Sequence, residues 1–170
     1  MSNKTSEEVF SLLDNLLKWT KSQLGKLTVI PQKLDISGLA DGVVEVMNSV
    51  AEVKHIKLIR TDHESFFVYV DIEMIKSILR NLISNAVKFS NPDSEIKVGI
   101  KAEDGKVIVS VTDSGKGIKK EDQHKLLKDS THFTTYGTNS EEGSGLGLLL
   151  CRDFARKNGG ELWFESEENL

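Results

Sequence analysis

Residues 81–89 read NLISNAVKF, and the fold of the chain is inferred outward from this stretch. The hydrophobic periodicity around it predicts a long helix that Asp71 caps and that ends with this stretch. Within that helix Asn81, Asn85 and Lys88 are spaced i, i+4 and i+7, so they share one face. An amide oxygen suits Mg²⁺ and a lysine suits phosphate oxygens, whereas a solvated helix face is the alternative interpretation.

Two glycine-rich motifs follow this helix along the chain. Residues 113–118 read DSGKGI after a predicted strand, and residues 143–148 read GSGLGL before a predicted helix. An aspartate at a strand end can accept a hydrogen bond from an exocyclic amine, and glycine lets the backbone approach a flat ring. Glycines at a helix start expose backbone N–H groups that suit phosphate. Taken alone, the first motif also fits an ordinary turn, and the second is neither a Walker A motif nor a Rossmann fingerprint.

The other predicted elements define the fold class. Helices are predicted at residues 6–24, about 35–54, 71–89 and about 145–157, and strands at 56–61, 66–70, 96–102, 107–112 and 161–165. Pro31 indicates a connector between the first two helices, and Asp104-Gly105 indicates a hairpin turn. The strands are expected to pair by hairpins. The order predicts an α+β fold, a two-layer α/β sandwich with a mixed, mostly antiparallel sheet and helices on one face, preceded by an N-terminal helix.

Composition bounds the class of protein. The chain has 170 residues and a formal net charge of -4, which argues against nucleic-acid binding as its main activity. No apolar run approaches the roughly 18–20 residues that a membrane span needs. The single cysteine, Cys151, cannot form an internal disulfide, and no cysteine cluster could hold zinc. A reducing cytoplasm is the expected setting.

The three motifs together are far more specific than any one of them. Asp113 lies 28 residues after Asn85, and Gly143 lies 30 residues after Asp113. This arrangement resembles the N, G1 and G2 boxes of the GHKL ATPases, the group that includes gyrase, Hsp90, histidine kinases and MutL. The resemblance covers roughly residues 35–166. It implies the Bergerat-type ATP-binding fold, with ATP and Mg²⁺ as cofactors.

The resemblance also implies roles for the residues of the first two boxes. Asn85 would coordinate Mg²⁺ with Asn81 beside it, Lys88 would contact phosphate oxygens, and Phe89 would lie near the nucleotide. Asp113 would accept a hydrogen bond from the adenine amino group. Asn81 and Lys88 are the residues expected to act in catalysis. The second box would complete its side of the site with residues that line the adenine, namely Gly115, Gly117 and Ile118.

The third box and the segment before it would cover the phosphates. Residues between about 118 and 142 resemble the mobile ATP lid of the family, and Phe133 resembles its F-box phenylalanine. The glycines of the third box would contact the phosphates and hinge the lid. The full set expected there is Gly143, Ser144, Gly145, Leu146, Gly147 and Leu148. The basic group for the γ-phosphate stays open between Lys128, His132 and a partner domain.

One position separates the branches of the family. Members similar to gyrase, Hsp90 and MutL carry a glutamate four residues before the metal-binding asparagine, where it acts as general base on water. Here that position is Asn81, an amide, which is the pattern that histidine kinases commonly show. The resemblance therefore implies a two-component sensor histidine kinase that transfers the γ-phosphoryl group of ATP to a histidine. An ATP-hydrolysing GHKL ATPase and a degenerate docking module are the alternatives.

The N-terminal helix gives the expected domain organisation. Residues 1–30 resemble part of the second helix of a dimerisation and phosphotransfer domain plus a linker, although packing on the domain's own core is also open. Residues 31–170 would be the catalytic domain, with its last strand truncated. The histidines at 55, 63, 124 and 132 lack the acceptor pattern, so no autophosphorylation is expected. The expected partners are the phosphotransfer domain and a response-regulator receiver domain, in a full-length homodimer whose membrane anchorage is left open.

Overall fold

The computed structural model describes residues 2–123 and 146–167. Within them the helices are α1 (Ser2–Gln23), α2 (Ile36–Glu52), α3 (Ile72–Phe89), α4 (Lys120–Gln123) and α5 (Gly147–Lys157). The strands are β1 (Pro31–Asp35), β2 (Lys57–Arg60), β3 (Phe67–Asp71), β4 (Glu95–Glu103) and β5 (Lys106–Asp113). The four predicted helices and the first four predicted strands are therefore confirmed, with ends shifted by a few residues.

Aspartate caps fix where α2 and α3 begin. Asp35 accepts a hydrogen bond from the backbone N–H of Ser37, and Asp71 accepts one from Met74 at 3.1 Å. The second carboxylate oxygen of Asp71 accepts from the N–H of Ile30 at 2.9 Å. This side chain is buried and thus joins the start of α3 to the chain that enters β1.

The strands form two sheets in the described part of the chain. β1 pairs with β3 in antiparallel register, and β4 lies between β2 and β5. The β4–β5 pair is the expected hairpin, in which Asp104 and Gly105 both have positive φ, at 51° and 74°. The mixed, mostly antiparallel arrangement is confirmed, but pairing by hairpins alone was wrong. β2 and β4 run parallel because the chain crosses over through β3 and α3 between them.

Two further predictions were wrong in detail. The connector before α2 contains β1, whose first residue is Pro31, a position that leaves the ladder intact. Residues 161–167 alternate between exposed and half-buried but form no ladder. That segment is instead held through Ser166, whose Oγ accepts from the N–H of Ile118 at 2.9 Å. Alternation alone predicts an extended chain, and a strand also needs a partner edge.

The core lies between the helices and one face of the sheets, as a two-layer sandwich requires. The fully buried side chains of α3 meet those of β4, with Leu79 and Ile83 against Ile96 and Val98. A second, smaller cluster contains Met74, Leu150 and Phe154, and partly buried residues of the N-terminal region pack against it, among them Trp19. α3 is therefore packed on both sides, which fixes the helix that carries NLISNAVKF.

The N-terminal helix α1 packs mainly through its C-terminal end. The apolar side chains over the rest of its length are exposed, namely Val9, Phe10, Leu12, Leu13, Leu16 and Leu17. The helix ends where predicted, with Gly25 at a φ of 66° and the N–H of Lys26 donating to the carbonyl of Lys21. None of the helices in the described ranges is both long and apolar enough to cross a membrane.

Candidate functional site

The polar face predicted for α3 is present at its C-terminal half. Asn81, Asn85 and Lys88 are each half-buried on this helix. The amide nitrogen of Asn81 donates to the backbone carbonyl of Ser77 at 2.9 Å, which fixes the orientation of the amide. Its Oδ1 faces the start of α5, where a Cβ built on Gly147 would lie 3.4 Å away. The structure thus brings the NLISNAVKF helix against the third motif.

The second motif crosses the other end of the same helix. A Cβ built on Gly115 would clash with the carbonyl oxygen of Phe89 and would lie 2.9 Å from its carbonyl carbon. The N–H of Lys116 donates to that carbonyl oxygen at 3.3 Å. Only glycine fits at this crossing, because the neighbouring atoms belong to backbone. The loop is therefore seated directly on the last turn of α3.

Asp113 is exposed at the end of β5, and its geometry leaves one oxygen available. Oδ1 accepts a hydrogen bond from the backbone N–H of Gly115 at 2.9 Å. This bond orients the carboxylate, since the acceptor and the donor are only two residues apart. Gly117 has a φ of 68°, a conformation that favours glycine, and the N–H of Ile118 donates to Ser166. Ser166 is a site neighbour that the sequence did not indicate.

Positive charge collects around the aromatic ring at the end of α3. Nζ of Lys88 lies 4.8 Å from the centroid of the Phe89 ring, and Nζ of Lys116 lies 5.2 Å from it. Both distances are within the range of a cation–π interaction. Two lysines beside one ring favour an anionic ligand with a flat part. Lys116 was not among the predicted site residues, although its place between two motif glycines is a signal that could have identified it.

The start of α5 completes the arrangement in the described part. Leu146 is buried and contributes no side-chain cap to the helix, which begins at Gly147 beside Asn81. Leu148 is half-buried. A helix N-terminus without a side-chain cap is suited to phosphate. The remaining predicted residues of this region, Phe133, Gly143, Ser144 and Gly145, lie outside the described residues, as does most of the predicted lid.

Cys151 lies one turn into α5 and faces the same asparagine. Its side chain is fully buried, its Sγ donates to the backbone carbonyl of Ile78 at 3.8 Å, and it interacts with the Asn81 side chain. Burial raises the pKa of the thiol to about 12, so the group is neutral at physiological pH. Cys151 therefore packs α5 against α3 and has no nucleophilic character.

The donor set fits a magnesium nucleotide better than a metal held by protein alone. Among residues 2–123 and 146–167 there is no group of three histidine, cysteine, aspartate or glutamate side chains that could hold a metal ion. The oxygen of Asn85 is a hard ligand of the kind that Mg²⁺ accepts when phosphates supply most of its shell. The second carboxylate oxygen of Asp113 suits the exocyclic amine of a flat ring. The arrangement can hold a phosphate chain along α3 and a ring at its end.

Comparison with known proteins gives a consistent picture. Residues 70–169 match the family described as histidine kinase-, DNA gyrase B-, and HSP90-like ATPase. The chain is 34% identical over 157 residues to the adaptive-response sensory kinase SasA of Crocosphaera subtropica, covering 91% of this chain and 41% of that protein. It therefore spans about two fifths of the length of this curated relative.

Two solved structures show the same fold. The catalytic domain of histidine kinase ThkA matches with a TM-score of 0.69 at 30% identity, covering 82% of this chain and 90% of that one. ThkA in complex with the response regulator protein TrrA matches with a TM-score of 0.74 at 23% identity, covering 98% of this chain and 47% of that one. The α+β sandwich predicted from the sequence is the fold of these catalytic domains.

Proposed function

Because the chain belongs to the histidine kinase-, DNA gyrase B-, and HSP90-like ATPase family, we propose that it is the ATP-binding catalytic part of a two-component sensor histidine kinase. The observation that carries the proposal is that α3 contacts both glycine-rich motifs, Gly147 beside Asn81 and Gly115 against Phe89. One helix thus contacts both the start of α5, which suits phosphate, and the DSGKGI loop, which carries Asp113 for the adenine. The similarity to SasA over 91% of the chain supports the kinase branch.

In the proposed complex the adenine lies at the β5 end of the site. Oδ1 of Asp113 already accepts the N–H of Gly115, so its other oxygen accepts from the adenine amino group. Gly115, which has no side chain, lets the loop that carries Asp113 sit directly on the carbonyl of Phe89 beside this position. Phe89 lies beside this position, and the ammonium groups of Lys88 and Lys116 at its ring attract the negative charge of the nucleotide.

The phosphates lie along the polar face of α3 toward α5. Lys88 would contact phosphate oxygens, and the amide oxygen of Asn85, with Asn81 beside it, would hold Mg²⁺, which when bound neutralises phosphate charge. Asn81 is held by Ser77 and has no basic group with which to activate water. The site therefore orients the γ-phosphoryl group for an acceptor and leaves water unactivated.

We further propose that the acceptor histidine is supplied by another part of the kinase. His55 lies in the turn after α2 with a φ of 57°, and His63 is exposed in the chain between β2 and β3. Neither of these described histidines lies on a helix that could enter the site. Residues 1–30 would belong to the dimerisation and phosphotransfer domain and to a linker, which fits the exposed apolar side chains of α1. Residues 31–170 would form the catalytic domain.

The partners of this proposed kinase follow from its class. They are the phosphotransfer domain of the same kinase and the receiver domain of a response regulator, by similarity to ThkA, whose complex with TrrA is known. The intact kinase is proposed to be a homodimer whose catalytic part works in the cytoplasm. The 170-residue chain alone is expected to bind ATP but not to phosphorylate itself.

Isothermal titration with ATP, with and without Mg²⁺, tests the proposal. Asp113→Asn can keep the oxygen that accepts from Gly115, but the other oxygen becomes an NH₂ donor that cannot accept from the adenine amine, so binding should weaken about 10- to 150-fold in both conditions. Asn85→Ala should weaken only the Mg²⁺-dependent part. Asp104→Asn, a matched change in the distant β4–β5 turn, and Asn48→Ala on α2 should bind as the wild type does.

The alternatives give different results. Absence of binding at millimolar ATP would contradict every nucleotide-dependent interpretation and favour a docking module. Steady-state phosphate release that Asn81→Ala abolishes would show a hydrolysing ATPase. Transfer from ATP to a separately added phosphotransfer domain would support the kinase.

A further inference from the structure

Lys54 lies far from every motif in the sequence, yet its ammonium group contacts the C-terminal end of α3. It follows the C-terminus of α2, is only 6% exposed, and reaches across to α3. Its Nζ donates to the backbone carbonyl of Val87 at 3.0 Å and to that of Lys88 at 2.9 Å. A cation at the C-terminal end of a helix satisfies carbonyls that have no partner within the helix.

The other carbonyls of this last turn are also bonded, each by a different part of the chain. Ala86 accepts from the N–H of Ser90 at 3.0 Å, which closes the helix itself. Phe89 accepts from the N–H of Lys116, which belongs to the DSGKGI loop. The last four carbonyls of α3 therefore receive donors from the capping residue Ser90, from Lys54 and from that loop. Lys54 donates to the two middle carbonyls, those of Val87 and Lys88.

We propose that Lys54 is a positioning residue for nucleotide binding, which acts by fixing the last turn of α3 against the DSGKGI loop. The inference rests on the proposed function and adds to it a residue outside the three motifs. The backbone that Lys54 holds carries Lys88 and Phe89, the side chains proposed to meet phosphate and adenine. The crossing of Gly115 over Phe89 has no space for a Cβ, so a small displacement of this turn is transmitted directly to the loop.

A lysine is needed there for geometric reasons. An apolar side chain would fill the space without holding two adjacent carbonyls at fixed distances. Removing Nζ leaves both carbonyls without this donor, which lowers stability for each one that stays buried and unsatisfied, and it removes the directional bonds that place the turn. The expected consequence of losing Nζ is thus a misplaced last turn in a protein that still folds.

The test compares variants of the 170-residue chain by isothermal titration with ATP and Mg²⁺, with melting temperatures measured in parallel. Lys54→Met should bind about tenfold more weakly than the wild type. Lys54→Arg, which keeps donors at the same place, should recover most of the affinity. Lys57→Met removes an exposed lysine three residues away and should bind as the wild type does. Val43→Ala lowers stability from the core of α2 and should leave affinity within about twofold.

A double-mutant cycle separates positioning from general stability. If Lys54 acts partly by placing Lys88, then in a Lys88→Ala background Lys54→Met should weaken binding by less than the roughly tenfold it costs alone. Full additivity, or wild-type affinity in Lys54→Met, would overturn the inference. If Lys54→Met does not fold, Lys54→Gln takes its place in the test. An affinity of Lys54→Gln for ATP equal to that of Lys54→Arg would then overturn the inference. Wild-type binding tests the proposed function by itself, so the two failures are distinguishable.

Discussion

The contact between Gly115 and Phe89 gives a prediction in which sterics alone decide the outcome. Gly115 does not have positive φ, so alanine is compatible with its backbone conformation. The added Cβ would, however, lie 2.9 Å from the carbonyl carbon of Phe89 and 2.9 Å from Oδ1 of Asp113. Carbon atoms in contact prefer about 3.5–4.0 Å, so the loop and the helix must separate by about 0.6 Å or more.

The size of the effect follows from which atoms must move. Overpacking of this kind costs about 1–3 kcal/mol of folding free energy, because the Phe89 carbonyl is backbone and cannot rotate away as the Asp113 carboxylate can. The separation also lengthens the bond from the N–H of Lys116 to Phe89, which is already 3.3 Å. Loss of the oriented Asp113 contact should weaken ATP binding by about 10- to 150-fold. Gly115→Ala should therefore fold with reduced stability and bind ATP poorly.

Urea denaturation and titration with ATP and Mg²⁺ measure the two effects separately. Gly42→Ala is the matched control, because Gly42 is exposed on α2 and a Cβ there meets nothing within 4 Å. The control should gain about 0.5–1 kcal/mol, since alanine is the better helix former, and should bind normally. If Gly115→Ala matched the wild type in both measurements, the close crossing would not exist in solution.

Three further predictions concern the packing around α3. Asp71→Ala removes a cap and a second buried acceptor, so denaturant unfolding should show a loss of about 2–4 kcal/mol, and a loss below about 0.5 kcal/mol would contradict the capping role. Burial raises the pKa of the Cys151 thiol from 9.0 to about 12. The thiol therefore loses its proton in the unfolded chain first, and the free energy of unfolding should fall as pH rises above 9.0. Fast chemical labelling of the native thiol at neutral pH would contradict its burial. Gly147→Ala should fold normally, because its Cβ would meet Oδ1 of Asn81 at an ordinary 3.4 Å. Any loss of ATP affinity then reports the contact of the α5 N-terminus with phosphate. A large loss of stability would contradict the distance between Gly147 and Asn81.

Local signals were sufficient to predict the helices and the hairpin. The caps at Asp35 and Asp71 and the Asp104-Gly105 turn involve neighbours in sequence, so the residues themselves specify the structure. β1 was missed because its residues PQKLD show no alternation, and its pairing with β3 is a contact between distant segments. The strand predicted at 161–165 was wrong for the converse reason, since alternation was present and a ladder was not.

The same distinction applies to the candidate site. The faces of α3 and the glycine motifs could be located from spacing, because each is defined over a few residues. Lys54 could not, since in sequence it is an ordinary lysine after a helix and its partners lie 33 and 34 residues away. Ser166 is similar, because its bond to Ile118 spans 48 residues. Residues that act by holding other residues in place become visible only when the fold is known.

The two ends of the proposed site differ in how much adjustment they permit. At the Phe89 end the contacts are made to backbone: the N–H of Lys116 donates to the carbonyl of Phe89, and Nζ of Lys54 donates to the two preceding carbonyls. At the Asn81 end, a side-chain amide meets the start of α5 at ordinary van der Waals distance. A change of side-chain torsion can accommodate movement there, whereas only a shift of the main chain can do so at the other end. If the proposed site is correct, adenine recognition therefore depends on the main chain around Phe89, whereas the phosphate end can adapt through side-chain torsions.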